Sequence, residues 1–493
     1  MADKLLRVGY ATYPSVKLQK LSFDSEKGKY KLSFVKELLF GDFMQPYVKD
    51  NAYVTAEVSG VEYIKVRCRN ADGYIKKTEM QAERPLEVNF IDVGQGDGCH
   101  IVTPDDKHFL IDAGKSDNMY RFLKWRFNLR TAKTSPPPFT VVISHSDTDH
   151  YQGFGKIFTQ TKGTSQQFSF NKIYHNGMVE IGGGGLQALG TETTADGQKY
   201  ITDLCDTDAD FKKRRDNEKN GVYINTLKKT DAPKEAIRKG SDPIYDKDGV
   251  KIEVMAPVAV KVDGKDALPV FGSNAGKTKN GHSVVLKLTI GKLRLLLGGD
   301  LNTESEYHLI GQYSGIDVPG IMKQLENKKL DEATRKDLEA KVDEAVMEAR
   351  KSLEVDIAKS CHHGSADFTT DFLRVLNPIA TIISSGDEEP YAHPRPDTLG
   401  TIGKHSRGER SLIFSTELAR SGKEFLELDK SKMSAEKKKE RVVTVYGMIN
   451  VRADGEKAII AQKLERPLAK SNWDIHRLKW NSKKGEFEYI QDK

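Results

Sequence analysis

Four potential metal ligands stand within six residues, directly after an apolar segment. Residues 140–144 (TVVIS) are typical of a buried β-strand, and His145, Asp147, Asp149 and His150 follow it. A strand delivers its last residue to the edge of a sheet, where a short loop can turn several short side chains toward one point. Imidazole and carboxylate together bind zinc, iron or manganese. The pattern predicts a metal site at a strand end; a solvated acidic turn with incidental histidines is the alternative.

Acidic and imidazole side chains also follow other apolar segments. Asp112, Asp300 and the pair His362 and His363 each stand where a predicted strand finishes. A carboxylate directly after a buried strand costs free energy unless it is paired or bound to a metal. Repeated Asp and His at strand ends therefore indicate one shared site.

The composition is that of a folded, rather polar protein. The chain has 493 residues, of which 38% are hydrophobic and 30% are charged, so two to four domains are expected. No segment approaches the ~18 uninterrupted apolar residues of a membrane-spanning helix, and residues 1–10 lack the apolar core of a signal peptide. The four cysteines are far apart, which favours reduced thiols over disulfides. These features predict a cytoplasmic protein without a membrane partner.

Positive charge is concentrated at the C-terminal end. Residues 403–493 contain 21 Lys and Arg against 14 Asp and Glu, whereas the whole chain carries a net charge of only +6. Such an excess suits a polyanionic partner, although on a lysine-rich surface it also serves simple solvation. We expect this basic extension, with a hairpin near residues 453–455, to complete or flank the core.

Six short runs occur in an order that a known family shares. The runs are FIDVGQGDG (90–98), FLIDAG (109–114), SHSDTDHYQG (144–153), LLLGGD (295–300), CHHGS (361–365) and YAHP (391–394). Taken together they resemble the metallo-β-lactamase superfamily, most closely the soluble nuclease domains of ComEC-like proteins, over residues 86–399. The resemblance implies an α/β fold, an αββα sandwich with a metal pair at the sheet edges.

The domain organisation follows from this match. The N-terminal part shows short alternating segments and an Asp72-Gly73 turn signal, so we expect a small β-rich, SH3-like domain that could dock a protein partner. Residues 1–84 are expected to form that domain, residues 85–402 the metallo-β-lactamase domain and residues 403–493 the basic extension. The metallo-β-lactamase domain is expected to contain an irregular insertion at about 161–250 and a charged helical hairpin inserted at about 303–356.

The resemblance assigns metal ligands residue by residue. His145 and Asp147 would bind one ion, and Asp149 and His150 the second, with Asp149 also assigned to catalysis. Asp147 replaces the histidine of the superfamily pattern H-x-H-x-D-H, as in the ComEC branch. Its anionic oxygen favours Mn²⁺ or Mg²⁺ beside Zn²⁺. We therefore expect two divalent ions, zinc or manganese, with magnesium as a further candidate.

Later residues complete the implied site. Asp300 corresponds to the carboxylate that bridges the metals, and Asp112 to one that orients a ligand histidine. One of His362 and His363 corresponds to the late histidine ligand; we assign His362 to the metal and His363 to catalysis, and the reverse stays open. His393 is assigned to the substrate side, with a capping role as the alternative.

Two elements of the pattern leave alternatives. The remaining histidine ligand of the superfamily corresponds to His282, to His175, or to neither, in which case Asn280 could serve that corner by hydrogen bonding; we prefer His282. The glycine-rich residues 94–98 could cradle a phosphate, but no P-loop or dinucleotide fingerprint follows, so we interpret them as a tight turn.

The implied activity is hydrolysis by a dinuclear metal-activated water. With ComEC-like domains as the nearest resemblance, cleavage of phosphodiester bonds in DNA is the first expectation. The alternatives are a small-molecule hydrolase for a cyclic nucleotide, a phosphocholine ester or a lactone, and a non-catalytic platform that binds partners through the N-terminal domain or the helical insertion.

Overall fold

The architecture comes from a computed structural model of the chain. The structure describes residues 5–26, 28–129, 135–159, 168–217, 219–272, 274–386, 391–416, 448–468 and 471–491.

Two central sheets pack face to face around one apolar core. Val88 and Ile101 of the first sheet and Leu286 and Leu295 of the second lie in this core, each at most 2% exposed. Both sheets are also covered on their outer faces, so the central strand Leu86–Ile91 is buried at every position. Strands buried on both faces read as nearly continuous apolar segments, which is why the sequence located them.

The first sheet mixes parallel and antiparallel strands. Its central strand Leu86–Ile91 pairs antiparallel with strands on both sides, and the strands beyond His108–Ala113 run parallel. From edge to edge its described strands are Lys234–Ala236, Phe170–His175, Phe139–Val142, His108–Ala113, Gly98–Val102, Leu86–Ile91, Met448–Ala453, Lys457–Leu468, Ser471–Asn481 and Glu486–Ile490.

The second sheet begins antiparallel and ends parallel. The crossover from Leu293–Leu297 to the parallel strand Ile357–Lys359 carries helices. Its described strands, in order, are Tyr245–Lys247, Val250–Ala256, Val285–Ile290, Leu293–Leu297, Ile357–Lys359, Ala380–Ile383 and Leu412–Ser415.

Helices form the two outer layers, which confirms the αββα sandwich. Phe122 and Ile224 belong to the helical cluster on the first sheet, and Leu309 and Val346 to the cluster on the second. The described helices are Asn118–Arg126, Thr148–Tyr151, Phe154–Ile157, Asp208–Asn217, Val222–Leu227, Ala275–Gly281, Thr303–Ser314, Val318–Leu325, Glu332–Leu353, Thr370–Leu376 and Pro396–His405, with 3₁₀ turns at Lys77–Glu79, Leu186–Ala188 and Cys361–Gly364.

The two expected insertions differ from their prediction. The charged segment is helical, but it comprises three helices rather than a hairpin, and Leu309 and Val346 pack on the second sheet as part of the outer layer. Residues 161–250 are not merely irregular, because Phe170–His175 and Lys234–Ala236 extend the first sheet. Strands this short have too little alternation to be recognised from sequence. A small sheet, Thr191–Ala195, Gln198–Thr202, Lys265–Pro269 and Val260–Val262, lies beside them.

The N-terminal part forms a separate β-sheet with its own core of residues such as Leu18 and Ile64. The Asp72-Gly73 turn prediction is wrong: the turn precedes Ala71–Lys76, and a Cβ on Gly73 would come within 2.7 Å of Leu18. Its likeness to an SH3 domain stays a prediction. The strands are Gly9–Ala11, Ser15–Asp24, Lys29–Leu39, Phe43–Pro46, Thr55–Val58, Val61–Cys68, Ala71–Lys76 and Met80–Gln81, beside the ribbon Val48–Lys49 and Ala52–Tyr53.

The C-terminal part contributes strands to both central sheets. Met448–Ala453 pairs directly with the central strand Leu86–Ile91, and the expected hairpin joins it to Lys457–Leu468. The expected boundary after residue 402 falls inside the helix Pro396–His405. None of the helices in the described residues is long and apolar enough to cross a membrane.

Candidate metal centre

Loops at one edge of the sandwich bring the predicted ligands together. His145 and His150 follow the strand Phe139–Val142, while Asp300 follows Leu293–Leu297 in the facing sheet. Donor atoms of His145, His150 and Asp300 all lie within 4.8 Å of one another, and the same holds for a second group of Asp149, His150 and His363. Side chains that are 150 or more positions apart thus meet because both sheets end at the same edge.

Each of the three histidines has its Nδ1 atom held by an oxygen atom. His150 Nδ1 lies 2.8 Å from Asp112 Oδ2, His363 Nδ1 lies 3.0 Å from the carbonyl oxygen of Ser384, and His145 Nδ1 lies 3.0 Å from Ser144 Oγ. The three Nε2 atoms are buried and lack a hydrogen-bond partner among the described residues. An imidazole held in this way offers its Nε2 lone pair to a cation.

Asp112 contacts His150, where the sequence resemblance implied a carboxylate that orients a ligand histidine, and this role stays a prediction. Its Oδ1 accepts the Ser144 backbone N–H at 2.8 Å, and its Oδ2 accepts the Ser144 hydroxyl at 2.6 Å as well as contacting His150. The backbone at Asp112 has φ 55°, in the left-handed region. The strand end is therefore bent to aim this buried carboxylate at the loop.

Carboxylate oxygens lie close to the orphaned Nε2 atoms. Asp300 Oδ2 is 3.1 Å from both His150 Nε2 and His363 Nε2, and Asp149 oxygens lie 4.0 Å and 3.9 Å from the same two nitrogens. Burial lowers the pKa of His363, but the charges of Asp300 and Asp97 outweigh this effect and raise the pKa to about 10. Buried imidazoles and carboxylates converging with unsatisfied atoms fit a divalent cation.

Asp97 and Lys359 belong to the centre although sequence reasoning missed both. Asp97 Oδ1 lies 3.2 Å from His363 Nδ1, and its other oxygen pairs with the Lys359 ammonium. Lys359 also donates to the Gly299 carbonyl at 3.0 Å and lies 3.9 Å from Asp300. Burial raises the pKa of Asp97, but the charges of Lys359 and His363 and the hydrogen bond to His363 together outweigh this effect and lower the pKa to about 2. Asp97, in the loop after the strand Leu86–Ile91, was the available sequence signal for this part of the site. Interpreting that loop only as a tight turn overlooked it.

Asp147 lies at the rim and is already paired. Its Oδ1 is 2.5 Å from Lys279 Nζ, and its Oδ2 is 3.8 Å from His145 Nε2. Lys279 also contacts Glu180 at 3.2 Å. In the orientation that satisfies its neighbours, the Asn280 amide donates to Asp147 Oδ2 at 2.8 Å. Asp147 is absent from the donor groups found among the described residues, so its expected contact with a metal stays a prediction.

His282 does not belong to the cluster, contrary to expectation. Its Nε2 lies 2.7 Å from the Pro269 carbonyl oxygen, and its ring stacks on Phe271 with centroids 4.5 Å apart. The helix Ala275–Gly281 ends just before it, and the ring turns into the apolar layer behind that helix. His175 is also buried and outside the described donor groups, and its Nδ1 accepts the Gly177 N–H.

The structure brings His363, rather than His362, to the other predicted ligands, and the metal-binding and catalytic roles of the pair stay predictions. His363 reaches Asp300, whereas His362 lies outside the described donor groups. Both have left-handed φ values, 48° and 54°, so adjacent side chains point in different directions. His393 lies at the rim, with its ring centroid 6.0 Å from that of His362 and 6.5 Å from that of His363. This position agrees with the substrate side, and its catalytic role stays a prediction.

Two glycines allow the loops to approach each other. A Cβ on Gly96, where φ is 106°, would come within 1.7 Å of the Asp149 carbonyl oxygen. A Cβ on Gly153 would come within 2.1 Å of the Ala113 carbonyl oxygen. Glycine is therefore required for the loop of residues 94–98 to pack against residues 145–150, where Gln95 Nε2 donates to Asp149 at 3.2 Å.

Comparison with known proteins gives a partial sequence match. The chain is 35% identical over 71 residues to ComE operon protein 3 of Bacillus subtilis (strain 168), a match that covers 14% of this chain and 9% of that protein. No protein-family model matches the chain.

Two solved structures align with about two thirds of the chain at low sequence identity. One is described as a metal-dependent hydrolase of the β-lactamase superfamily; it has 10% sequence identity, a TM-score of 0.33, and covers 67% of this chain and 95% of its own. The other, described as a putative zinc-dependent hydrolase of the metallo-β-lactamase superfamily from Thermotoga maritima, has 10% identity, a TM-score of 0.22, and covers 66% of this chain and 98% of its own.

Proposed function

We propose that the protein is a divalent-metal-dependent hydrolase that cleaves phosphodiester bonds in DNA. The observation that carries the proposal is the convergence of the buried, unsatisfied Nε2 atoms of His145, His150 and His363 on the carboxylates of Asp149 and Asp300. A cation between these groups would satisfy the Nε2 atoms, which make no hydrogen bond among the described residues, and would offset the charge of the buried carboxylates.

Two divalent ions are proposed, as the sequence resemblance implies. Asp149, His150, His363 and Asp300 would hold one, and His145 with Asp300 and Asp147 would hold the other. Bound there, divalent ions would polarise the scissile phosphate and activate water for its attack. The mixture of imidazole and carboxylate donors suits Mn²⁺ or Zn²⁺, with Mg²⁺ as the harder alternative.

The remaining side chains would prepare this site for a polyanion. Lys359 neutralises Asp97 and lies beside Asp300, which limits the repulsion between the buried carboxylates and a phosphate. His393 at the rim would contact the substrate or supply a proton to the leaving oxygen.

DNA as the substrate is supported by the sequence. The ComEC-like motifs, the partial similarity to ComE operon protein 3 and the basic excess of residues 403–493 all favour it. A cytoplasmic location and a protein partner at the N-terminal sheet or at the helices Thr303–Ser314 and Glu332–Leu353 stay predictions.

The test is cleavage of single- and double-stranded DNA by purified protein with Mn²⁺, and with EDTA in its place. We expect cleavage only with the metal, and a loss of at least about 100-fold in His145→Ala. His405→Ala, at the end of the helix Pro396–His405, is the matched histidine control and should cleave as the wild type does. Equal cleavage by wild type and His145→Ala, or none by either, would refute the proposal.

A further inference from the structure

A cavity of ≈ 190 Å³ lies between the N-terminal sheet and the outer face of the first central sheet. The N-terminal part contributes Arg69, the helix Asn118–Arg126 contributes Trp125, and the C-terminal strands contribute Asn450 and Trp473. None of its lining residues belongs to the metal centre. A cavity of about 150 Å³ is sufficient for one benzene ring, so this space can hold a single flat ring system.

The charge of the wall favours an anion. The wall has two carboxylates, Glu37 and Asp42, against four cationic residues, and among these Arg452 contacts Asp42 at 3.6 Å and the neighbouring Glu87 at 3.3 Å. Burial, and next the charge of Arg69, lower the pKa of Lys463, so positive charges crowd each other here. The four cationic residues of the wall are Lys36, Arg69, Arg452 and Lys463.

Aromatic surface is the third property of the cavity. Trp125 and Trp473 both line it, and the Arg69 guanidinium lies over the Trp125 ring, 4.5 Å from its centroid. Indole and guanidinium planes are surfaces on which nucleobases stack. Arg69 is exposed, so it stands where a charged group projecting from the cavity would meet it.

We propose that this cavity binds a nucleoside phosphate. The base would enter the cavity against the indoles, and the phosphate would pair with Arg69 at the mouth. A flat ring and a negative charge are the two features that the wall selects, and a nucleoside phosphate combines both. The protein therefore has a nucleotide site separate from its metal centre.

Tryptophan fluorescence tests this proposal, because two of the three tryptophans of the chain line the cavity. The full-length protein is titrated with each of the four common ribonucleoside 5′-monophosphates, with the matching nucleosides and with inorganic phosphate. We expect saturable quenching by at least one monophosphate, and binding of its nucleoside and of phosphate at least about tenfold weaker.

Variants locate the binding. Arg69→Gln should weaken the monophosphate at least about tenfold, whereas Trp480→Phe and His145→Ala should leave its affinity unchanged. The His145→Ala result separates this site from the metal centre, so it stands even if DNA is not cleaved. Absence of saturable quenching by all four monophosphates, unchanged affinity in Arg69→Gln, or loss of binding in His145→Ala would each overturn the proposal.

Discussion

At the level of single residues, the metal centre depends on which way each histidine ring is turned. The expectation that Asp and His directly after apolar strands share one site located His145, His150 and Asp300 from sequence, because buried polar side chains need partners. It could not separate His362 from His363, since both follow the same strand and only their left-handed backbone decides which ring turns inward. It also favoured His282, whose ring finds its partner in a backbone carbonyl that no sequence pattern reveals.

The two adjacent histidines offer a matched test of metal binding. His363→Ala should lower the affinity for Mn²⁺ or Zn²⁺ by about 10- to 100-fold or more, because it removes a donor 3.1 Å from Asp300. His362→Ala should retain the affinity, since that ring lies outside the described donor groups. Equilibrium dialysis with elemental analysis measures both. If His362→Ala loses the metal and His363→Ala keeps it, the geometry described here is wrong.

Lys279 occupies the side of the centre where Asp147 should meet an ion. Lys279→Met should free the Asp147 oxygen and raise the affinity for the second divalent ion by roughly tenfold, because a competing ammonium 2.5 Å away is removed. Lys277→Met, two residues earlier and paired with Glu304 at 2.7 Å, is the control and should bind metal as the wild type does. The metal-to-protein ratio at limiting Mn²⁺ measures the effect; equal ratios in all three proteins would contradict it.

At the level of elements, the sequence predicted the strands and helices that have a long apolar or periodic pattern of their own. The strands on both faces of the core and the helical character of residues 303–353 were recoverable, because they contain long apolar or charged periodic patterns. Short strands such as Lys234–Ala236 join a sheet only through their neighbours, so their own residues carry no signal. Gly73 shows the same limit: it looks like a turn residue but permits close packing on Leu18 within a strand.

Alanine substitutions at Gly96 and Gly400 should have different effects, because Gly96 lies in a tightly packed loop and Gly400 lies at an open position of a helix. Gly96→Ala should displace the loop at Asp149 and lower metal affinity at least about tenfold, because its Cβ would lie 1.7 Å from a backbone oxygen at a positive φ. Gly400→Ala, in the helix Pro396–His405 with nothing within 4 Å, should instead raise the free energy of unfolding by about 0.5–1 kcal/mol. Calorimetric metal titration and urea unfolding measure the two effects; wild-type metal affinity in Gly96→Ala would show that the loop is not strained.

At the level of the whole molecule, the sandwich joins distant parts of the chain. Met448–Ala453 pairs with Leu86–Ile91 at the centre of the first sheet, so the C-terminal part is structurally integral. The resemblance supplied this two-sheet architecture, whereas the pairing partner of the last strands could not be derived from their own alternation. Long-range pairing of this kind depends on topology rather than on local sequence.

The buried neutral histidines tie the stability of the entire sandwich to pH. Burial lowers the pKa of His282 to about 3, and the unfolded side chain titrates near ~6.5. Between these values the unfolded chain binds a proton that the folded chain excludes, so the free energy of unfolding falls as pH falls through this window. From pH 7.5 to 5.0 the loss from this residue should be on the order of 2 kcal/mol.

His282→Gln removes that titration while keeping a donor for the Pro269 carbonyl. The variant will be less stable at pH 7.5, but its loss of stability between pH 7.5 and 5.0 should be smaller than that of the wild type by about the amount given above. Urea unfolding of both proteins in EDTA measures this difference, because chelation removes the separate effect of metal release. The carboxylates that raise the pKa of His150 and His363 act in both proteins and cancel. An unchanged difference between the two pH values would mean that His282 is not held neutral in the folded chain.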